Sequence, residues 1–282
     1  MFASSLQQTA KVPARALIMD LHLKGKVALI AGGSSGIGLA TAQQLAREGC
    51  WLFLCGRTQR TLVKAKTSIL VNSPQCRIEL FETDIYESEA AHLLIAQAFH
   101  CFGTVDILVN STEGASFSPH AEIFSNKNWL EACEKKLLGY IRLTQCAFEL
   151  MKKQRSGKII NVVGLTGKEP STHLVMSGVI NAGLINFIKG FSKTAAQYNV
   201  CISGVNPGFI ATPRYNAFIH ALAQASEHHD ELIEKNLCEE IPLRRIGRAE
   251  EVAALITFLA SNLADYITGT TIAVDGGLSQ SI

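Results

Sequence analysis

The chain lacks any apolar run of the roughly 18 residues that a membrane-spanning helix needs, so a bilayer-spanning segment is not expected. It has no block of lysine or arginine and a formal net charge of only +2. Neither nucleic acid nor a membrane surface is therefore the expected partner; a small molecule is. It has no Cys-x-x-Cys: eight cysteines, at 50, 55, 76, 101, 133, 146, 201 and 238, lie scattered, most of them in apolar contexts. That pattern predicts free thiols in a reducing cytoplasm and no structural metal. No internal repeat or low-complexity linker divides the chain, and 282 residues with 48% hydrophobic and 18% charged ones can fill one large core. One domain is expected. Residues 1–18 contain no acidic side chain and carry Lys11 and Arg15, a composition similar to a transit peptide. Met19–Lys26 would itself make an ordinary beginning, so 1–18 is read as a loose arm ahead of a domain spanning 19–282.

What is present is a regular alternation. Apolar strand-like runs at Val27–Ile30, Trp51–Cys55, Arg77–Phe81, Ile107–Val109 and Lys158–Val163 alternate with amphipathic helical segments, and further runs follow at Cys201–Val205 and Thr271–Val274. This order predicts an α/β domain with a parallel sheet covered by helices on both faces. After the sixth strand comes a mostly helical stretch, Tyr215 to Leu237, within the segment 209–243. Ligands of open α/β sheets bind beyond the carboxyl ends of the strands, so this segment is placed as a substrate lid. Its His220, His228 and His229 are read as a solvated face of a polar helix rather than as metal ligands.

The first strand runs into Ala31-Gly32-Gly33-Ser34-Ser35-Gly36-Ile37-Gly38 and then into the helical pattern Leu39–Ala46. Glycine at such a turn lets a pyrophosphate approach backbone N–H groups, and the helix N-terminus adds partial positive charge. Ser34 and Ser35 are candidate hydroxyl donors there. The second strand ends in Gly56-Arg57, with a guanidinium where a carboxylate would grip a ribose 2′-hydroxyl, and this favours NADP(H) over NAD(H).

Five separated motifs resemble the short-chain dehydrogenase/reductase family from Met19 to about Gly277, most nearly its 3-oxoacyl-(acyl carrier protein) reductase-like members. They are Gly32-x-x-x-Gly36-x-Gly38, Thr83-Asp84-Ile85, Val105–Asn110, Asn206-Pro207-Gly208-Phe209-Ile210-Ala211-Thr212 and Val274-Asp275-Gly276-Gly277. The resemblance implies a single Rossmann-type doubly wound sheet with a helical lid after strand six. It implies adenine contact by Asp84 and Ile85, ribose-side contact by Asn110, and nicotinamide-side contact by Pro207, Gly208, Ile210 and Thr212. It also implies a homodimer or homotetramer, paired through helices that include the apolar Ala182–Ile188 face.

The family's Asn-Ser-Tyr-Lys tetrad is replaced at every position. Lys136 stands for the asparagine, Gly164 for the serine, Ser177 for the tyrosine and Asn181 for the lysine, while Glu113 replaces a glycine beside the expected ribose. A missing general acid typically costs about 10²- to 10⁴-fold in rate. Serine is too weak an acid to substitute. His173, in the loop after the fifth strand, has a suitable pKa for proton transfer, and a desolvated Lys136 would also serve. The ordinary reading of Lys136 is a surface ion pair with Glu131 or Glu134. Two functions stay open: an NADPH-dependent carbonyl or 3-oxoacyl reductase with a non-standard proton relay, and a catalytically silent dinucleotide-binding protein acting as sensor, regulator or partner subunit.

Overall fold

The computed structural model describes residues 19–87, 89–112 and 124–281. Seven parallel strands form its sheet: β1 Val27–Ala31, β2 Trp51–Gly56, β3 Ile78–Glu82, β4 Ile107–Asn110, β5 Gly157–Val162, β6 Val200–Pro207 and β9 Thr271–Val274, in the order β3-β2-β1-β4-β5-β6-β9. Every residue of β1, β4 and β5 is buried. Helices cover both faces of these strands, which is why their sequences read as unbroken apolar runs and not as alternations.

Helices α1 Gly36–Arg47, α2 Gln59–Asn72 and α9 Ala249–Ala260 pack on one face, around Leu45, Leu62, Ile69, Val252 and Ile256. Helices α3 Ala90–Phe102, α5 Gly139–Gln154 and α6 Val175–Ala196 pack on the other, around Leu94, Leu143, Phe148, Leu184 and Ile188. Strand order reverses between β1 and β4, and the crevice that opens there lies beyond their carboxyl ends. The expected strand at Arg77–Phe81 begins one residue later, and the one expected to run to Val163 ends at Val162.

The segment after β6 is mostly helical, as expected, and divides into two helices, α7 Pro213–Ser226 and α8 Asp230–Glu240, because Glu227 takes a left-handed φ of 57° and ends α7. His228 and His229 thus stand in the break between helices. Two short strands, β7 Ile210–Ala211 and β8 Gly247–Arg248, pair in parallel and tie the base of the segment together. No side chain of α8 is buried, which leaves it weakly anchored.

All eight cysteines are free. Burial pushes the Cys50 and Cys55 thiols up to about 12, so both act as small apolar side chains. Among the described residues no helix is long and apolar enough to cross a membrane.

Two glycine substitutions should separate packing from helix propensity. A Cβ at Gly38 would lie 2.2 Å from the Gly32 carbonyl oxygen, whereas one at Gly190, in mid-α6, would meet nothing within 4 Å. Urea unfolding should show Gly38→Ala destabilised by about 1–3 kcal/mol and Gly190→Ala stabilised by about 0.5–1 kcal/mol.

Candidate active site

The glycine turn closes against its neighbours. Gly32 has φ +82°, and a Cβ there would lie 2.5 Å from the Ser111 carbonyl oxygen, so no side chain fits between the ends of β1 and β4. The Gly32 and Gly33 N–H groups both donate to the Cys55 carbonyl and bind the turn to β2. Ser35 is the N-cap of α1, yet its side chain makes no capping hydrogen bond, and no acidic residue occupies the first turn. The first-turn N–H groups therefore face the crevice with their partial positive charge uncompensated by side chains.

Around this turn Gly32, Ser34, Ser35, Arg57, Asp84 and Ile85 line one cleft together with Thr83, Ser111 and Thr112. The sequence-named residues of the adenine and phosphate side thus come together. Asp84 also braces its own loop, since its Oδ1 accepts from the Tyr86 N–H at 3.1 Å. The donor set fits a phosphorylated nucleotide: uncapped helix N–H groups, two serine hydroxyls, a guanidinium at the end of β2 and a glycine cradle that any Cβ would fill.

The nicotinamide-side motif divides. Thr212 reaches the turn, with its methyl 3.3 Å from where a Gly36 Cβ would stand. It also caps α7, its Oγ1 accepting from the Tyr215 N–H at 3.3 Å ahead of Pro213 in the first turn. Ile210 is buried in the apolar layer with Val252 and Ile256. Gly208 packs on Asp275, whose Cα lies 2.9 Å from its would-be Cβ. Pro207 is buried at the end of β6. Asn110 is fully buried behind the crevice, donating to Asn161 Oδ1 at 2.8 Å and Thr144 Oγ1 at 3.3 Å. Its side chain braces β4 against β5 and α5.

The tetrad positions converge on the far side of the crevice. Gly164 follows β5, and the Asn181 Nδ2 lies 2.8 Å from where a Cβ at 164 would stand. That amide donates to Thr166 Oγ1 at 2.9 Å. The two replacements are complementary, one giving up volume that the other fills. Ser177 lies one turn before Asn181 on α6, and both are buried. Ser177 Oγ, Asn181 Oδ1 and Thr112 Oγ1 have no hydrogen-bond partner among the described residues. His173 is exposed in the turn that leads into α6. Glu113 and the arm at 1–18 lie outside the described residues.

Lys136 departs most from its ordinary reading. It lies in the π-helical stretch Cys133–Leu138 between α4 (Asn126–Ala132) and α5, and it is only 7% exposed. The expected surface ion pairs belong to its neighbours: Glu131 pairs with Lys127 and Lys135, and Glu134 pairs with Arg142 at 2.6 Å. Burial first, and the Arg214 guanidinium second, bring the Lys136 pKa down from 10.5 to about 7. Its Nζ lies 5.6 Å from the centre of the Tyr140 ring. Tyr140 is itself fully buried and donates to the Thr112 carbonyl at 3.1 Å, which ties Lys136 to the wall of the cleft. Tyr140 and Arg214 are not singled out by the sequence, whereas Thr166, like Ser171, is there a weaker candidate in the loop after the fifth strand. Tyr140 had a usable signal, since it follows Lys136 by one helical turn.

Residues 31–279 match the protein family described as enoyl-(acyl carrier protein) reductase. The NADPH-dependent reductase BacG of Bacillus subtilis is 33% identical over 260 residues, covering 91% of this chain and 99% of that one. The 3-oxoacyl-(acyl carrier protein) reductase FabG of Aquifex aeolicus is 34% identical over 260 residues, covering 92% and 100%. Among solved structures, YwfH, an NADPH-dependent reductase involved in bacilysin biosynthesis, superposes with a TM-score of 0.87 at 32% identity, covering 92% and 100%. L-sorbose reductase of Gluconobacter frateurii, complexed with NADPH and L-sorbose, gives a TM-score of 0.87 at 28% identity, covering 94% and 100%.

A lysine whose pKa is lower in the folded chain than in the unfolded one destabilises the fold at every pH at which the unfolded chain is protonated. The cost is therefore absent above about 10.5, grows as pH falls towards 7 and is constant below that. Lys136→Met removes it. Thermal unfolding at pH 7 should show a raised melting temperature, and the gain should vanish at a pH above 10.5.

Proposed function

We propose, from the premise that the chain belongs to the short-chain dehydrogenase/reductase family, that it reduces a carbonyl compound with NADPH and that Lys136 is its proton donor. The observation that carries this reading is the burial of Lys136 at the family's asparagine position, with a pKa brought to about 7. The NADPH-dependent relatives support the choice of cofactor.

In this reading the uncapped N–H groups of α1, with Ser34 and Ser35, hold the pyrophosphate, and Arg57 grips the 2′-phosphate bidentately. Asp84 and Ile85 flank the adenine, as the resemblance implies. Bound NADPH supplies the hydride, and the protein supplies orientation and the proton. Ser177 donates a hydrogen bond to the substrate carbonyl oxygen. The Lys136 ammonium, about half populated near neutrality, gives that oxygen its proton and is reprotonated from water. The Asn181 amide, held on Thr166, occupies the place of the family's lysine. A homodimer or homotetramer built on α5 and α6, working in the cytoplasm, completes the proposal.

The second reading, a silent dinucleotide-binding protein, draws on the Asn181 amide that occupies the space beside Gly164. Calorimetric titration separates the steps. NADPH should bind more tightly than NADH, and Arg57→Ala should remove that preference. On a panel of ketones, 3-oxoacyl thioesters and oxo acids, the wild-type rate should fall as pH rises through about 7, because the reaction needs the protonated lysine. Lys136→Met should lower kcat by about 10²- to 10⁴-fold while NADPH affinity holds. Tight NADPH binding with no turnover of any panel member would establish the silent reading instead.

A further inference from the structure

The segment that follows β9 holds on to two separate parts of the molecule. Asp275 shapes it, its Oδ1 accepting from the Gly277 N–H at 3.0 Å and its Oδ2 from the Ser279 N–H at 2.9 Å. Gly276 and Gly277 take left-handed φ values of 67° and 87° and lie flat on the base of the α7–α8 segment. A Cβ at 276 would lie 2.8 Å from the Ile241 Cγ2 and one at 277 would lie 3.2 Å from the Pro242 Cγ. The Leu243 N–H donates to the Gly276 carbonyl at 3.1 Å. Farther along, the Gln280 and Ser281 N–H groups both donate to Glu169 Oε1, at 2.9 and 2.5 Å. Glu169 belongs to the loop after β5, and Lys168 beside it donates to the Thr271 carbonyl of β9 at 3.4 Å. The Thr166 of that loop holds the Asn181 amide. Its Gly167 lies so close on α6 that a Cβ there would stand 2.8 Å from the Asn181 carbonyl carbon.

We propose that residues 275–281 form a strap that couples the α7–α8 segment to the wall carrying Ser177 and Asn181, with Glu169 as the positioning residue at its far end. Helix α8 buries no side chain, so its order depends on how its ends are held. Its C-terminal end runs straight into Ile241, Pro242 and Leu243, which rest on Gly276 and Gly277. A carboxylate that accepts from two successive backbone N–H groups fixes the direction of the chain as well as its position, and such charge-assisted bonds are stronger than neutral ones. Released from Glu169, the strap loosens at the base of α8, and the loop loses the outer support that keeps Thr166 on the Asn181 amide. The two sides of the crevice therefore share one restraint, and ordering either leaves less entropy to lose in ordering the other. The coupling needs no turnover and holds for the reductase and for the silent binder alike.

The test is amide hydrogen exchange read by mass spectrometry on the whole chain, for peptides in 164–174 and in α8. It compares the wild type with Glu169→Ala, Glu169→Gln, Ser281→Pro and the double variant Glu169→Ala/Ser281→Pro. Glu169→Ala should speed exchange about threefold or more in both regions, while α2, packed at the opposite edge of the sheet, keeps its rate. Glu169→Gln keeps an acceptor oxygen and should recover part of the protection. Ser281→Pro takes away one N–H donor and should loosen the same two regions. The double variant should go no further than Glu169→Ala, since both changes act on one contact. Should Glu169→Ala fail to fold, Glu169→Gln and Ser281→Pro carry the same comparison. Faster exchange confined to 164–174, with α8 at its wild-type rate, would overturn the coupling, and so would equal acceleration in α2. Additive effects in the double variant would overturn the assignment of Glu169 as the residue through which the strap acts.

Discussion

The Ser111 carbonyl oxygen lies 2.5 Å from the position of a Cβ on residue 32, and the rest of the site follows from that contact. It brings the ends of β1 and β4 together with no side chain between them, at the point where the sheet's strand order reverses. The turn can then lie flat against β2, where two N–H groups bond the Cys55 carbonyl. Helix α1 starts from that turn with its N–H groups facing the crevice. A larger residue at 32 would lift the turn and with it the helix end that gives the crevice its positive potential.

On the opposite wall the chain solves a different problem. Where the sequence reading places the family's proton relay, other side chains fill the wall. The Asn181 amide spans to Thr166, Tyr140 bonds the Thr112 carbonyl, and Lys136 lies against the Tyr140 ring. These links tie α6 to the turn after β5, and α5 to the loop after β4 and to the π-helical stretch before it, so the polar groups of the wall are held by their own set of contacts. What is left unpaired among the described residues, Ser177 Oγ, Asn181 Oδ1 and Thr112 Oγ1, is what a polar ligand would satisfy.

The strands were legible because both faces of the sheet are covered, so that burial wrote itself as continuous apolar runs such as Val27–Ala31. The glycine turn was legible because its spacing answers a steric demand that no other residue meets. Lys136 was not. Its sequence neighbours Glu134 and Lys135 are surface residues and make surface pairs, and nothing local distinguishes it from them. Its burial comes from the π-helical stretch, whose wider turn re-aims side chains relative to the α-helical period on which sequence reading relies. The break between α7 and α8 was hidden for a similar reason. It falls at Glu227, which takes a left-handed conformation without the glycine that usually announces one.

The complementarity of Gly164 and Asn181 has a consequence for how such a site changes. A serine restored at 164 would meet the Asn181 amide and have to displace it from Thr166. A lysine restored at 181 would remove the amide that fills the space beside Gly164. A change at either position alone thus disturbs the contact made by the other, and the two positions are coupled: the energetic effect of a substitution at one depends on which residue stands at the other.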